Sequence, residues 1–213
     1  MSKITLYDYW RSSAAYRVRI ALNLKNLNYD TVVINLLDAE HKSAEYRSKN
    51  PQAIVPALDL DGQIFTQSLA IIEYLDDVYP QTLLLAADPR QRARIRVLSY
   101  AIAMEIHPIC NLPVVAHVAE ITQGGDQAKL DWMKNFIRAG LHSFEACLDD
   151  GKTGKFCNGD KVSMADCCLI PQLYNANRWG IDYSDLSKIT AIEKSCGEIG
   201  AFYDAYPDRC QHH

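Results

Sequence analysis

No cysteine occurs before Cys110, and no two of the seven cysteines are spaced C-x-x-C. The first half of the chain therefore has neither a redox dithiol nor a paired-thiolate metal spacing. The seven (Cys110, Cys147, Cys157, Cys167, Cys168, Cys196 and Cys210) are odd in number, and a chain of this length needs no disulfide staples, so they read as reduced thiols. No apolar run approaches the roughly 18 residues of a membrane span, and the opening MSKITLYDYW has no long apolar core of a signal-peptide kind. The expectation is a cytoplasmic chain without a membrane partner. Positive charge is also scarce. Before Pro80 there are 8 Lys+Arg against 10 Asp+Glu, and from Pro80 on 14 against 16, so neither part offers the basic face that nucleic acid requires. No repeat or low-complexity tract interrupts the sequence. What is present, 48% hydrophobic and 23% charged residues over 213 positions, suffices for one or two modest globular domains.

Periodicity gives the order of elements. Residues 3–9 alternate as a strand does, and Ala14 to Leu27 carry apolar residues three and four apart, with Ser12 or Ser13 where a helix cap belongs. The β-branched run 31–37 reads as a buried strand. After Pro56, ALDL and QIF flank an Asp61-Gly62 turn as two short antiparallel strands. A helix with Leu69, Ile72, Leu75 and Tyr79 on one stripe follows, Ser68 being its expected cap. Asp88-Pro89 pairs a capping residue with proline at the first helical position. Beyond it every segment is helical in pattern: a long helix from 89 past 115 interrupted at Pro108 and Pro113, another over 127–149, one opened by a Ser163-x-x-Asp166 capping box, and a last over 189–205. The expected partition is a domain over 1–80, a linker over 81–88 and an all-helical domain over 89–213.

The order βαβ then ββα, with a proline opening the third strand, is the plan of an α/β thioredoxin-like domain. With an all-α domain behind it, it resembles a cytosolic glutathione transferase. YWRSSAAYRVRIAL at 9–22 is similar to the zeta-class signature, and so are NPQAIVPAL (50–58), QSLAIIEYL (67–75), IHPICNL (106–112), GDKVSMADCCLIPQ (159–172) and NANRW (175–179), in order and spacing. The resemblance covers nearly the whole chain. It departs at Ala14, where the family usually has cysteine, at Tyr16, usually tryptophan, and at Leu112-Pro113, where bacterial relatives often carry arginine after the asparagine.

Two serines before a helix are ordinarily caps. Within this motif the resemblance implies more: Ser12, with Ser13 close behind, donates a hydrogen bond to the sulfur of bound glutathione at a helix N-terminus that favours the thiolate, and Arg11 acts in the same turn. Tyr7 or Tyr9 is the alternative hydroxyl donor. By the same resemblance Val55 and a cis Pro56 pair with the cysteinyl amide, Gln67 and Ser68 hold the γ-glutamyl carboxylate, and His41 meets the glycine end. His107 and Asn111, four apart on one face of the long helix, are expected to line the site. Arg178, otherwise a cation complementing a helix end, is expected to grip a substrate carboxylate. No metal site is expected, because His41, His117, His142, His212 and His213 are scattered or terminal.

The activity implied is glutathione-dependent cis-trans isomerisation of a small dicarboxylate, maleylacetoacetate to fumarylacetoacetate, a step of aromatic amino acid catabolism, by a homodimer. Maleylpyruvate isomerisation and general zeta-class transferase activity are the alternatives. A dithiol oxidoreductase is excluded by the Ser-Ser-Ala-Ala run at 12–15.

Overall fold

The computed structural model describes residues 3–211. His212 and His213, weighed above as metal ligands, lie outside them. The chain forms two compact units, one made of the chain up to Leu85 together with the chain from Ile199 onward, the other of Ala86–Glu198.

The first unit contains β1 (Ile4–Asp8), α1 (Ser13–Leu24), β2 (Asp30–Val33), α2 (Ala44–Lys49), β3 (Ala57–Leu60), β4 (Gln63–Thr66) and α3 (Ser68–Val78). The sheet order is β2-β1-β3-β4, with β1 and β2 parallel and the other pairs antiparallel. Alternation sorts its residues. Ile4, Leu6 and Leu58 pack against Val18 and Leu22 of α1 and Ile71 and Leu75 of α3, while Tyr7 and Ala57 share a cluster with Tyr46 of α2. Truncating Leu6, which is fully buried, to alanine would cost roughly 2–5 kcal/mol. Asp61 and Gly62 have φ of 53° and 89°, the pair of left-handed residues that a tight hairpin with right-handed twist requires.

The run at 31–37 departs from its expectation. It forms the four-residue edge strand β2, whose residues are all exposed. A β-branched run signals extended backbone without saying how many neighbours cover it; among the described residues only β1 pairs with it. Ile34, just past the strand, turns inward, its N–H donating to Asp8 O at 2.8 Å.

The second unit holds α4 (Pro89–Tyr100), α5 (Leu112–Thr122), α6 (Gly125–Cys147), α7 (Met164–Arg178) and α8 (Ser187–Gly197). Asp88 caps α4 by accepting from Gln91 N–H at 2.8 Å. The long helix expected from 89 onward continues only as a π-helical segment, Ala101–Ile106, then a turn, before α5 starts afresh. Pro108 has no N–H to continue the ladder, and His107 N–H reaches back five residues to Ile102 O at 3.0 Å. Gly140 of α6 admits this widened turn: a Cβ there would lie 2.4 Å from the side chain of Ile106. Asp166 opens α7 as expected, its carboxylate accepting from the Ser163 N–H and hydroxyl at 2.8 Å each.

The single helix expected over 189–205 is two. It ends at Gly197, and α9 (Gly200–Asp204) belongs with the first unit, packed against α1. The expected boundary that assigned the chain from 89 to the end to the helical domain is therefore corrected at its C-terminal end. The cause is in the side chains of α1: Arg19 Nε donates to Ala205 O at 3.1 Å and Asn23 Nδ2 to Ala201 O at 3.2 Å.

Candidate functional site

Strand register gathers the candidate residues of the first unit. Tyr7 lies opposite Ala57 and Ala57 opposite Thr66, while Asp8 lies beside Val33. The turn after β1 (Arg11, Ser12, Ser13), the segment before β3 (Val55, Pro56), the junction after β4 (Gln67, Ser68) and the 3-10 turn after β2 that contains His41 thus leave the sheet at the same end.

Ser12, not Ser13, is the cap of α1: its Oγ accepts from Ala15 N–H at 3.2 Å. That leaves the hydroxyl proton to donate elsewhere, beside the first-turn amides and the positive end of the helix dipole. Ser13 is the first helical residue and is buried. Arg11 Nη2 donates to Tyr9 Oη at 2.9 Å, and its guanidinium stacks over Trp10 at 4.8 Å. Tyr9, the alternative hydroxyl, is thereby engaged with a cation, and Tyr7 is buried beneath Lys49, whose ammonium lies 5.0 Å from its ring.

The Val55-Pro56 peptide is cis. The loop before it is braced at one atom, Ile54 O, which accepts from Tyr46 Oη and Asn50 Nδ2 at 2.7 Å each. Among the described residues the Val55 N–H and C=O take no hydrogen bond, although the residue is buried, so both groups are left to pair with an extended ligand.

Ser68 does not cap α3 as expected. It is the first helical residue, and the preceding Gln67 holds the cap position at φ 68°, a left-handed backbone that is uncommon outside glycine. Gln67 Nε2 donates to Gln52 Oε1 at 2.7 Å. Ser68 is buried, and its Oγ accepts from Arg17 Nη1 at 3.3 Å. Arg17, Gln52, Asn50 and Tyr46 were missed in the sequence. The signal for Arg17 was two arginines inside the otherwise apolar stripe of α1.

His41 Nδ1 is buried without a hydrogen-bond partner among the described residues. Burial first, then Lys42 and Arg47, pushes its pKa down, so the ring is neutral near pH 7 and able to accept or donate at a ligand. An open peptide edge, a helix N-terminus with a buried arginine behind it, and an orphaned imidazole nitrogen fit a peptide with a carboxylate at each end, as glutathione is.

In the second unit, His107 and Asn111 do not share a helix face. His107 closes the π segment, and Asn111 caps α5, its Oδ1 accepting from Leu112 N–H at 2.8 Å. Trp132 of α6 braces the turn between them, its Nε1 donating to Ile109 O at 2.9 Å. Cys110 in the same turn is buried, and burial pushes its thiol up to about 11, leaving it protonated and inert. Arg178 is the last residue of α7 and is exposed. No cluster suited to a metal ion occurs among the described residues.

Residues 2–77 match the glutathione S-transferase N-terminal domain. The chain is 51% identical over 210 residues to maleylacetoacetate isomerase of Rhizobium meliloti strain 1021, covering 99% of both chains. Among solved structures, a bacterial zeta-class maleylpyruvate isomerase superposes with a TM-score of 0.93 at 38% identity, covering 96% of this chain and 97% of that one. Maleylacetoacetate isomerase of Methylobacterium extorquens AM1, solved with bound malonate and glutathione, gives the same TM-score at 37% identity over 97% of this chain and 98% of its own. With relatives matched end to end and the thioredoxin-like and helical parts both present, the chain belongs to the zeta-class glutathione transferase family of maleylacetoacetate isomerases.

Proposed function

We propose that the chain is a glutathione-dependent cis-trans isomerase acting on maleylacetoacetate, in aromatic amino acid breakdown. The observation that carries the reading is the arrival at one sheet end of the Ser12 hydroxyl, the open Val55 peptide edge and the N-terminus of α3. The 51% identity to a protein of that name supports the substrate.

Glutathione, when bound, supplies a thiolate that adds to the cis double bond and later leaves, so that the bond can rotate in between. The chain's own residues do the rest. Ser12 donates its hydroxyl proton toward the sulfur, and with the α1 N-terminus favours the anion; lowering a thiol pKa by two units takes about 2.7 kcal/mol. Ser13 and Arg11 shape the same turn. Val55 pairs its N–H and C=O with the cysteinyl peptide, Pro56 fixing the direction of that edge. Ser68 and Gln67 hold the γ-glutamyl carboxylate at the α3 N-terminus with Arg17 behind, and His41 meets the glycine end. In the helical unit Arg178 pairs with a substrate carboxylate through its planar fork, and His107 and Asn111 contact bound glutathione. Positive charge placed where negative charge develops speeds both addition and elimination.

Maleylpyruvate is the second substrate considered, favoured by the structural likeness to a maleylpyruvate isomerase. The reading includes a homodimer in the cytoplasm. Val97 and Met104, exposed by 60% and 54% on α4 and the π segment, offer apolar surface to a second copy, and all seven cysteines are free, as a reducing compartment requires.

An absorbance assay with maleylacetoacetate and maleylpyruvate, each with and without glutathione, tests the reading. Turnover is expected only with glutathione and faster on maleylacetoacetate. Turnover that ignores glutathione, or none on either compound, overturns it.

A further inference from the structure

Arg19 is 1% exposed, and each nitrogen of its guanidinium has a carbonyl or carboxylate to meet. Nη1 donates to both oxygens of Asp8 at 2.7 and 2.8 Å, Nη2 to Trp10 O at 2.9 Å, and Nε to Ala205 O at 3.1 Å. Asp8 ends β1, and Trp10 lies two residues before Ser12. Ser12 N–H donates to Tyr9 O at 2.8 Å, so the turn is closed locally at Tyr9 and held from beneath at Trp10 by Arg19.

The third partner, Ala205 O, is in place because the chain from Ile199 lies along α1. Asn23 Nδ2 holds Ala201 O, the rings of Tyr16 and Tyr206 meet edge to face with centroids 6.5 Å apart, and Phe202 and Ala205 are 3% and 0% exposed. A buried guanidinium has five N–H donors and no acceptor, and leaving one unmet is costly. Because the fork is planar and rigid, a shift of Ala205 O retilts the whole group, and with it the bond to Trp10 O. Lysine could keep the charge beside Asp8 but not the three directions.

We propose that the C-terminal segment from Ile199 to Gln211 is a strap for the turn that carries Ser12, and that Arg19 is the positioning residue through which it acts. The proposal rests on the reading of Ser12 as the hydroxyl that serves glutathione, and adds to it a remote determinant of how that hydroxyl is aimed.

The test titrates the thiol of glutathione on the saturated full-length protein by its thiolate ultraviolet absorbance, in wild type, Ser12→Ala, Arg19→Lys and the double variant Asn23→Ala/Tyr206→Ala, with circular dichroism to establish folding. Ser12→Ala is expected to raise the bound thiol pKa by about one to two units, and Arg19→Lys and the double variant by roughly half a unit to one unit. Their kcat should fall about three- to tenfold while KM for glutathione moves less than about twofold. Folded strap variants that keep the wild-type thiol pKa, while Ser12→Ala shifts it, overturn the strap and leave the serine reading standing. An unchanged pKa in Ser12→Ala overturns the serine reading and the strap with it. If Arg19→Lys does not fold, the double variant, which retains Arg19, decides.

Discussion

Arg17 Nη1 and Ser68 Oγ meet at 3.3 Å inside the first unit, joining α1 to the first residue of α3. The helix capped by Ser12 and the helix that begins at Ser68 are thus tied together, so in the proposed function one scaffold sets both the thiol end and the γ-glutamyl end of glutathione. Ser68→Ala should raise KM for glutathione about tenfold, the effect of losing roughly 1.4 kcal/mol of hydrogen bonding to a charged group, with kcat changed less than about twofold. Initial rates over a glutathione series separate the two. A fall in kcat at constant KM would assign Ser68 to the chemistry instead of binding.

Cysteine chemistry should be nearly silent. Cys147 is exposed, Cys210 half-buried, and Cys110, Cys157, Cys167, Cys168 and Cys196 are buried. Burial is the leading cause that pushes Cys210 up as well, so iodoacetamide should label Cys147 first, Cys147→Ser should abolish that fast label, and activity should persist through it. Mass spectrometry of the labelled protein alongside activity checks this. Rapid inactivation that glutathione prevents would mean that a thiol of the chain reaches the bound tripeptide.

Arg178 distinguishes an isomerase of dianions from a transferase of neutral electrophiles. Arg178→Ala should raise KM for the dicarboxylate at least about tenfold, roughly 1.4 kcal/mol for a charge-assisted pair, while conjugation of a neutral electrophile is spared. Arg178→Lys should recover part of the loss, since an ammonium cannot form the bidentate fork. Equal losses on charged and neutral substrates would make Arg178 a helix-end partner.

The helical unit carries an acid-sensitive tie. Arg94 donates from Nε and Nη2 to the two oxygens of Asp150 at 2.6 and 2.7 Å, and this hydrogen bonding holds the carboxyl down at about 2. A depressed carboxylate stabilises the fold above its unfolded pKa of roughly 4, and the contribution fades as pH falls toward the folded value. Asp150 is 36% exposed, so the pair is worth at most about 1 kcal/mol. The melting temperature of Asp150→Asn should lie below wild type above about pH 5 and converge with it near pH 2. A gap that is constant across this range would place the tie elsewhere.

The sequence carried the elements wherever a local rule governs them. A cap at Ser12 or Ser13 before an unbroken apolar stripe, Asp61-Gly62 between alternating strands, Asp88-Pro89 and Ser163-x-x-Asp166 all form, Ser12 being the cap of the two, because capping and turn geometry depend on a few adjacent residues. What was not legible depends on contacts far apart in the chain. The exposure of β2 follows from its position at the sheet edge, which the β-branched run does not encode. Ser68 looked like a cap, but Gln67 takes that place in a left-handed backbone. The π segment before His107 needs both Pro108 and the room left by Gly140 of α6. The last helix breaks after Gly197 because Arg19 and Asn23, some 180 residues earlier, supply donors to its carbonyls. For the candidate site, the resemblance supplied the residues that would touch glutathione, and the structure added Arg17, Asn50 and Tyr46, which hold them.

The most direct measurement of the central claim is the isomerisation rate at saturating glutathione for Ser12→Ala beside Ser13→Ala and Tyr9→Phe. Ser12→Ala should lose roughly tenfold to a hundredfold, the loss that 1.4–2.7 kcal/mol of thiolate stabilisation entails, with folding unchanged. Ser13→Ala and Tyr9→Phe should lose far less. A large loss in either of those, with Ser12→Ala near the wild-type rate, would contradict the assignment of the activating hydroxyl to Ser12.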